Sequence, residues 1–440
     1  FPKPGDNEPP PPIGLRRLTE DQLGDLLDEL GAWWEYIAND MPILQACVHQ
    51  SKEIKGGVLE ACKLMEELEG TPKTERLSRA KSRAEYSDAN ADWVALRENE
   101  FRPLSNKSVS GAYPPGSTFK MVVALAAREA DVIKPNETFF CPGYYELGGR
   151  RFHCWKRGGH GKIDMVNSLK QSCDVYYYEV SKRVGIEAIA AKARQLGLGE
   201  KYDIPLPAIS SGLVPNKAYK RRVFDQGWLQ GDTLNAGIGQ GFVLTSPLQL
   251  AVMTSRIASG KAILPRIIKS IDGVPQLEDE AAVLDIKTVD IDLIRKGMFA
   301  VMNERRGTAY NARIDDKNMI MAGKTGTSQV RQISVEERAA GIVKNEDLPW
   351  DRRDHALFVG YAPYDNPRYA VTVIVEHGGG GSSVAAPIAR DIMMRALYGD
   401  VPPLSAYPAA ERNRIRGERD RAREAERSAI VTPTTRGDNL

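Results

Sequence analysis

The stretch GAYPPGSTFK, residues 111–120, constrains this chain more than any other. Pro114 and Pro115 fix φ and remove two backbone donors. Gly116 adopts conformations that other residues avoid. The backbone therefore halts just before Ser117, and the apolar run MVVALAA (121–127) carries a helix onward from Lys120. Residues i and i+3 share one face of a helix, so Ser117 and Lys120 point the same way. Ser117 lies at the positive end of that helix. A serine hydroxyl is a poor nucleophile near neutral pH and needs a base. A lysine can be that base only where burial or nearby charge lowers its pKa. Ser78-Arg79-Ala80-Lys81 has the same spacing. No chain break precedes it and Arg and Lys crowd it, so it reads as a solvated helix face.

Two more elements bear chemistry. Ser172-Cys173-Asp174 precedes the aromatic run VYYY at a helix start. Lys324-Thr325-Gly326-Thr327 ends the apolar strand MIMAG. Glycine in a strand permits close approach of a ligand or a second backbone. Hydroxyls beside a lysine suit a carboxylate. Ser270-Ile271-Asp272 repeats the S-x-D spacing, but Asp272-Gly273 marks a hairpin turn.

The order S-x-x-K, S-x-D, K-T-G resembles the penicillin-binding transpeptidases, which share their active site with the serine β-lactamases. YPPGSTFKM, GDTLNAGIGQGFVLTSPLQLAVM (231–253), AGKTGTSQV and RDHALFVGYAP look like the elongation-specific penicillin-binding protein 2 branch of Gram-negative bacteria. The resemblance covers residues 86–400. It implies an α/β fold of the α+β type, an antiparallel β-sheet flanked by helices. It implies that Ser117 attacks the carbonyl between the terminal D-alanines of a peptidoglycan stem peptide, that Lys120 takes its proton, and that Ser172, with Asp174, serves the proton relay. Lys324, Thr325, Gly326 and Thr327 would hold the substrate carboxylate. The N–H groups of Ser117 and Thr327 would form the oxyanion hole. β-Lactams become covalent inhibitors, and a membrane glycan polymerase of the elongation machinery becomes a partner at the periplasmic face of the inner membrane. A D-Ala-D-Ala carboxypeptidase or β-lactamase-type hydrolase is the alternative enzyme. A non-catalytic penicillin-binding scaffold is the alternative from another class.

All five cysteines precede residue 174. Cys141, Cys154, His160 and Cys173 are separated by 12, 5 and 12 residues. Three thiolates and an imidazole make a tetrahedral zinc set, and the Gly-rich CWKRGGH can bend around an ion. Some relatives within the resemblance carry zinc here on Asp, His and Cys. The competing reading is one disulfide with a spare thiol. His153 is an alternative ligand with a poorer spacing. Cys47 and Cys62 sit on expected helix faces and read as core. His355 and His377 read as structural.

The 440 residues suffice for two or three domains of about 100–200 residues each. A net charge of +2 gives no reason to expect nucleic-acid binding. No apolar run approaches the ~18 residues of a membrane helix. No signal peptide is visible, and the initial Phe1 suggests a fragment. Residues 1–85 read as a Pro-rich linker and a helical segment of separate origin, with helices near 19–37 and 51–69 and no confident strand, although the resemblance implies early strands. Residues 86–400 are the catalytic domain, with helices at 117–130, 166–183, 186–196 and 382–399, a further helix opening at Ser246, and an irregular loop over 136–163. Strands follow in MIMAGKTGTSQV, HALFVGYAP and PRYAVTVIVEH. Residues 401–440 form a charged tail, solvated or disordered.

Overall fold

The computed structural model describes residues 92–99, 101–276, 280–331, 333 and 335–431, with side chains to residue 424. The chain divides between Ser105 and Asn106. In the first unit residues 92–98 are helical. The helices expected near 19–37 and 51–69, with Cys47, Cys62, Ser78 and Lys81, lie outside the described residues.

The second unit is built around an antiparallel sheet of β7 (Ala322–Ser328), β8 (His355–Ala362) and β9 (Tyr369–Val375), in that order. β8 and β9 match the apolar runs of the sequence; β7 does not, because the apolar residues 319–321 precede it and the strand is the K-T-G segment itself. β8 reads HALFVGYA because both of its faces are covered. Leu357, Val359 and Tyr361 enter the larger core cluster, while Ala356, Phe358 and Ala362 enter a second one. Successive side chains alternate across a sheet, and here both sides are dry. The Phe358 ring occupies the space that side chains at Gly323 and Gly360 would fill.

Against one face pack α8 (Thr288–Asn303) and α7 (Pro247–Ser259). Ser246 caps α7 through its side chain, Gln249 completes the capping box, and Pro247 opens the helix. On the other face lies α9 (Ala386–Tyr398). α1 (Lys120–Glu129) is enclosed by α3 (Asp174–Val184) and α4 (Ile186–Gln195), and its residues Lys120 to Ala127 are all buried. That burial explains the run without polar alternation.

Three expectations need correction. The helix expected over 166–183 is two helices, α2 (Met165–Lys170) and α3. Ser172 breaks them with φ of +54°. The expected loop 136–163 contains two β-ribbons. β1 (Phe139–Cys141) pairs with β4 (Gly161–Ile163), and β2 (Tyr144–Leu147) pairs with β3 (Arg150–His153). Strands this short leave little periodicity to read. The helix expected over 382–399 opens as a π-turn, Gly381–Ala385, and α9 starts only at Ala386; within the charged tail Arg412–Val431 form α10, the solvated-helix reading of that segment. Ile415 and the buried Arg390, paired with Glu411, attach it.

Replacing Phe358 by alanine should cost about 3–5 kcal/mol of unfolding free energy, because the cavity lies between two rigid layers. Denaturant titration measures it. A loss below about 1 kcal/mol would show that the sheet is loosely covered.

Candidate active site

Ser117 lies in the 3-10 turn Gly116–Phe119 that runs into α1, and it is half-buried. Gly116 has φ of +54°, and its N–H donates to the Gly239 carbonyl at 2.9 Å. A Cβ at Gly116 would sit 2.5 Å from the Thr327 carbonyl oxygen. One at Gly239 would strike the Gly116 carbonyl. Three backbone segments thus close on Ser117, an approach that only glycines at 116 and 239 permit.

Behind Ser117 the lysines and the S-x-D element meet. The Lys120 ammonium donates to Asp174 Oδ1 at 2.7 Å, to the Ser172 carbonyl at 2.9 Å and to Ser172 Oγ at 3.3 Å. The Lys324 ammonium donates to Ser172 Oγ and to the Thr325 carbonyl, each at 2.9 Å. Ser172 therefore bridges two lysines that are both fully buried. Its positive φ is the strained conformation that turns this hydroxyl between them. Asp174 opens α3, where the helix dipole favours a carboxylate. Its Oδ2 accepts the Trp155 N–H at 2.8 Å.

Two amines share one carboxylate in this dry space. Burial pushes the Lys324 amine well below the usual lysine range, and the neighbouring Lys120 charge adds to the effect. Burial raises the Asp174 carboxyl, against the opposing pull of Lys120. Burial thus presses both Lys324 and Asp174 toward their neutral forms within one connected set of hydrogen bonds.

β7 is an edge strand among the described residues, and its open side faces Ser117. Gln240 donates to the Thr327 carbonyl there at 3.2 Å. The N–H and C=O of one residue in an antiparallel strand point to the same side, so the Thr327 N–H also faces the cleft. Lys324, Thr325 and Gly326 precede it on the same strand. All the expected serine, lysine, aspartate and threonine positions therefore come together. Sequence reasoning missed Trp155, Gln240 and Thr308, whose hydroxyl lies 2.7 Å from that of Thr325. Gln240 stands inside a block that already carried the resemblance. The others carry no sequence signal.

Cys141, Cys154, His160 and Cys173 bring their ligand atoms within 4.8 Å of one another. The three thiols are free, so no disulfide joins them. His160 Nδ1 lies 3.6 Å from Cys141 Sγ and 3.5 Å from Cys154 Sγ. A tetrahedral zinc with ordinary bond lengths sets sulfur and nitrogen ligands about 3.6 Å apart, so the donor set fits the ion. Nδ1 is thus the imidazole atom turned toward the sulfurs, and His160 Nε2 is buried without a hydrogen-bond partner. Thiol donation from Cys154 and Cys173 pulls Cys141 far down, whereas donation to Cys141 and Cys154, with burial, pushes Cys173 far up. A cation bound among them would let all three ionise together. His153 is outside the cluster. His355 and His377 tie the ends of β8 and β9, the His377 N–H donating to His355 Nδ1 at 2.9 Å.

Residues 71–394 match the penicillin binding protein transpeptidase domain. The peptidoglycan D,D-transpeptidase MrdA of Haemophilus influenzae is 37% identical over 329 residues, which cover 72% of this chain and 50% of the relative. The chain thus spans about half the length of the curated relatives it matches. Among solved structures, PBP2 of Pseudomonas aeruginosa in complex with WCK 5153 superposes with a TM-score of 0.61 at 35% identity, covering 70% of this chain and 66% of that one. PBP2 of Helicobacter pylori in complex with MreC gives 0.61 at 34% identity, covering 70% and 54%.

Asp174→Ala should destabilise the protein by about 3–5 kcal/mol, since it leaves the buried Lys120 amine without its counter-charge. Urea unfolding at neutral pH tests this, and a change below about 1 kcal/mol would mean that water reaches the cluster.

Proposed function

The chain belongs to the penicillin-binding protein transpeptidase family, and from that premise we propose that it is a serine D,D-transpeptidase cross-linking peptidoglycan stem peptides during cell elongation. The observation that carries this reading is the single hydrogen-bond network joining Lys120, Ser172, Asp174 and Lys324 behind Ser117, beside the open edge of β7.

Ser117 Oγ attacks the carbonyl carbon between the two terminal D-alanines. Its proton passes to the Lys120 amine, which takes it after handing its own proton through Ser172 to Lys324, the amine that burial presses toward the neutral form. Ser172 lies between the two amines and relays a proton to the departing D-alanine nitrogen. Lys324, Thr325 and Thr327 take the substrate carboxylate, and an arriving anion restores the charge that burial takes from Lys324. Gly326 packs against Thr118 and the Pro115 carbonyl, where a side chain would crowd the cleft. The developing oxyanion lies between the N–H groups of Ser117 and Thr327, each such donor contributing about 3–4 kcal/mol. An amine of a neighbouring stem resolves the acyl-enzyme. Resolution by water gives a carboxypeptidase side activity. A β-lactam ring enters the same step and stays attached.

We also propose that Cys141, Cys154, His160 and Cys173 hold one structural zinc ion. Cys141 on β1, Cys154 and His160 on the segment after β3, and Cys173 at the start of α3 would hold it, and the ion would supply a structural cross-link between them. Cys154 precedes Trp155, whose N–H fixes Asp174, so these ligands hold the carboxylate that holds Lys120. The family places such enzymes at the periplasmic face of the inner membrane with a membrane glycan polymerase, and the complex of the Helicobacter pylori relative with MreC supports work within an assembly. No helix among the described residues is long and apolar enough to cross a membrane.

Labelled penicillin should add covalently to Ser117, and Ser117→Ala should abolish the label. Intact mass spectrometry reads both. Label surviving that substitution refutes the mechanism, and an adduct lost within seconds identifies a hydrolase instead. Elemental analysis should find about one equivalent of zinc. Chelation should lower the melting temperature and slow acylation together. Cys141→Ser should weaken the metal less than Cys173→Ser. Less than about a tenth of an equivalent, with a mapped disulfide, would refute the site.

A further inference from the structure

Thr308 follows α8 in the segment that leads toward β7. Its backbone is fixed on both sides. Thr308 donates its N–H to the Lys170 carbonyl at 3.2 Å, and Ala309 donates to the Val301 carbonyl at 3.1 Å. Beneath it the Lys170–Glu304 ion pair, at 2.6 Å, joins α2 to the end of α8. The Thr308 side chain is therefore held in place. Its Oγ1 lies 2.7 Å from Thr325 Oγ1. Thr325 is buried, and among the described hydrogen bonds its hydroxyl has no other partner.

A hydroxyl carries one proton. Of two hydroxyls in contact, one donates and the other accepts. When Thr325 donates to Thr308, it turns lone pairs toward the cleft and repels an anion. When Thr308 donates to Thr325, the Thr325 proton is free for an acceptor in the cleft. Each link in such a chain strengthens the next.

We propose that Thr308 is a positioning and specificity residue for carboxylate-bearing acyl donors. Its hydroxyl donates to Thr325, so that Thr325 donates to the carboxylate. The inference rests on the reading of β7 as the carboxylate strand and adds the residue that sets the polarity of that strand's hydroxyl. Thr308 does not touch the substrate. Its effect falls on recognition of the anion and leaves the attack by Ser117 unchanged.

The test compares acylation by benzylpenicillin and by its methyl ester, which lacks the anion. Thr308→Val keeps the shape of the side chain and removes the hydroxyl, while Thr308→Ser keeps the hydroxyl. For benzylpenicillin, Thr308→Val should lower the second-order acylation constant about tenfold. The loss should appear as a higher half-saturation concentration with the limiting rate preserved. For the ester, Thr308→Val and the unchanged protein should react alike. Thr308→Ser should stay within about twofold of the unchanged protein for both compounds. Equal rates with benzylpenicillin overturn the inference, and so does an equal loss with both compounds, which marks a packing role. An unchanged protein that takes no label from either compound overturns the acyl-transfer reading, and the inference with it.

Discussion

The ion pair of Lys120 and Asp174 is largely withdrawn from water where α1 meets α3, and the chemistry of the cleft is arranged around it. A buried amine without a partner sheds its proton. A buried carboxylate without one keeps it. Together they hold each other's charge, and the second amine, Lys324, is the group pressed to give way. Ser172 touches both amines. A proton arriving from Ser117 therefore enters a connected set of two amines, a hydroxyl and a carboxylate, which is the geometry a relay requires.

Such a cluster is costly to assemble, and the fold supplies the means. α1 is apolar over its whole first two turns, which lets Lys120 sit at full depth. The break at Ser172 ends α2 and begins α3, so Asp174 meets Lys120 from a helix N-terminus. The Trp155 N–H closes the remaining lone pair of Asp174 from the ribbon that carries Cys154. The cysteine cluster and the lysine cluster are thus neighbours through two adjacent residues, 173 and 174, and through another pair, 154 and 155. Whatever tightens one tightens the other.

Much of this was legible in the sequence. β8 and β9 of the central sheet were long, apolar and bounded by turns, and β7 was legible as the K-T-G strand beside them. Pro114, Pro115 and Gly116 announced a halt before Ser117, and the capping box at Ser246 marked α7. The cysteine and histidine spacings pointed to the four residues that the fold gathers, without their geometry. The rest was hidden for physical reasons. β1 to β4 are ribbons of three or four residues, too short for a period to appear. The break at Ser172 depends on tertiary contacts, because nothing local demands φ above zero in a serine. Trp155 acts through its backbone, and no side-chain pattern encodes that. Thr308 meets Thr325 only because α8 packs on β7.

The central claim is that one hydrogen-bond network serves an acyl transfer at Ser117. A structure of the protein after reaction with benzylpenicillin tests it most directly. The account predicts an ester at Ser117 Oγ, the acyl oxygen about 2.7–3.1 Å from the N–H groups of both Ser117 and Thr327, and the ligand carboxylate against Thr325 and Thr327. An ester at another residue, or an acyl oxygen turned away from both N–H groups with Ser172 detached from the two lysines, would contradict it.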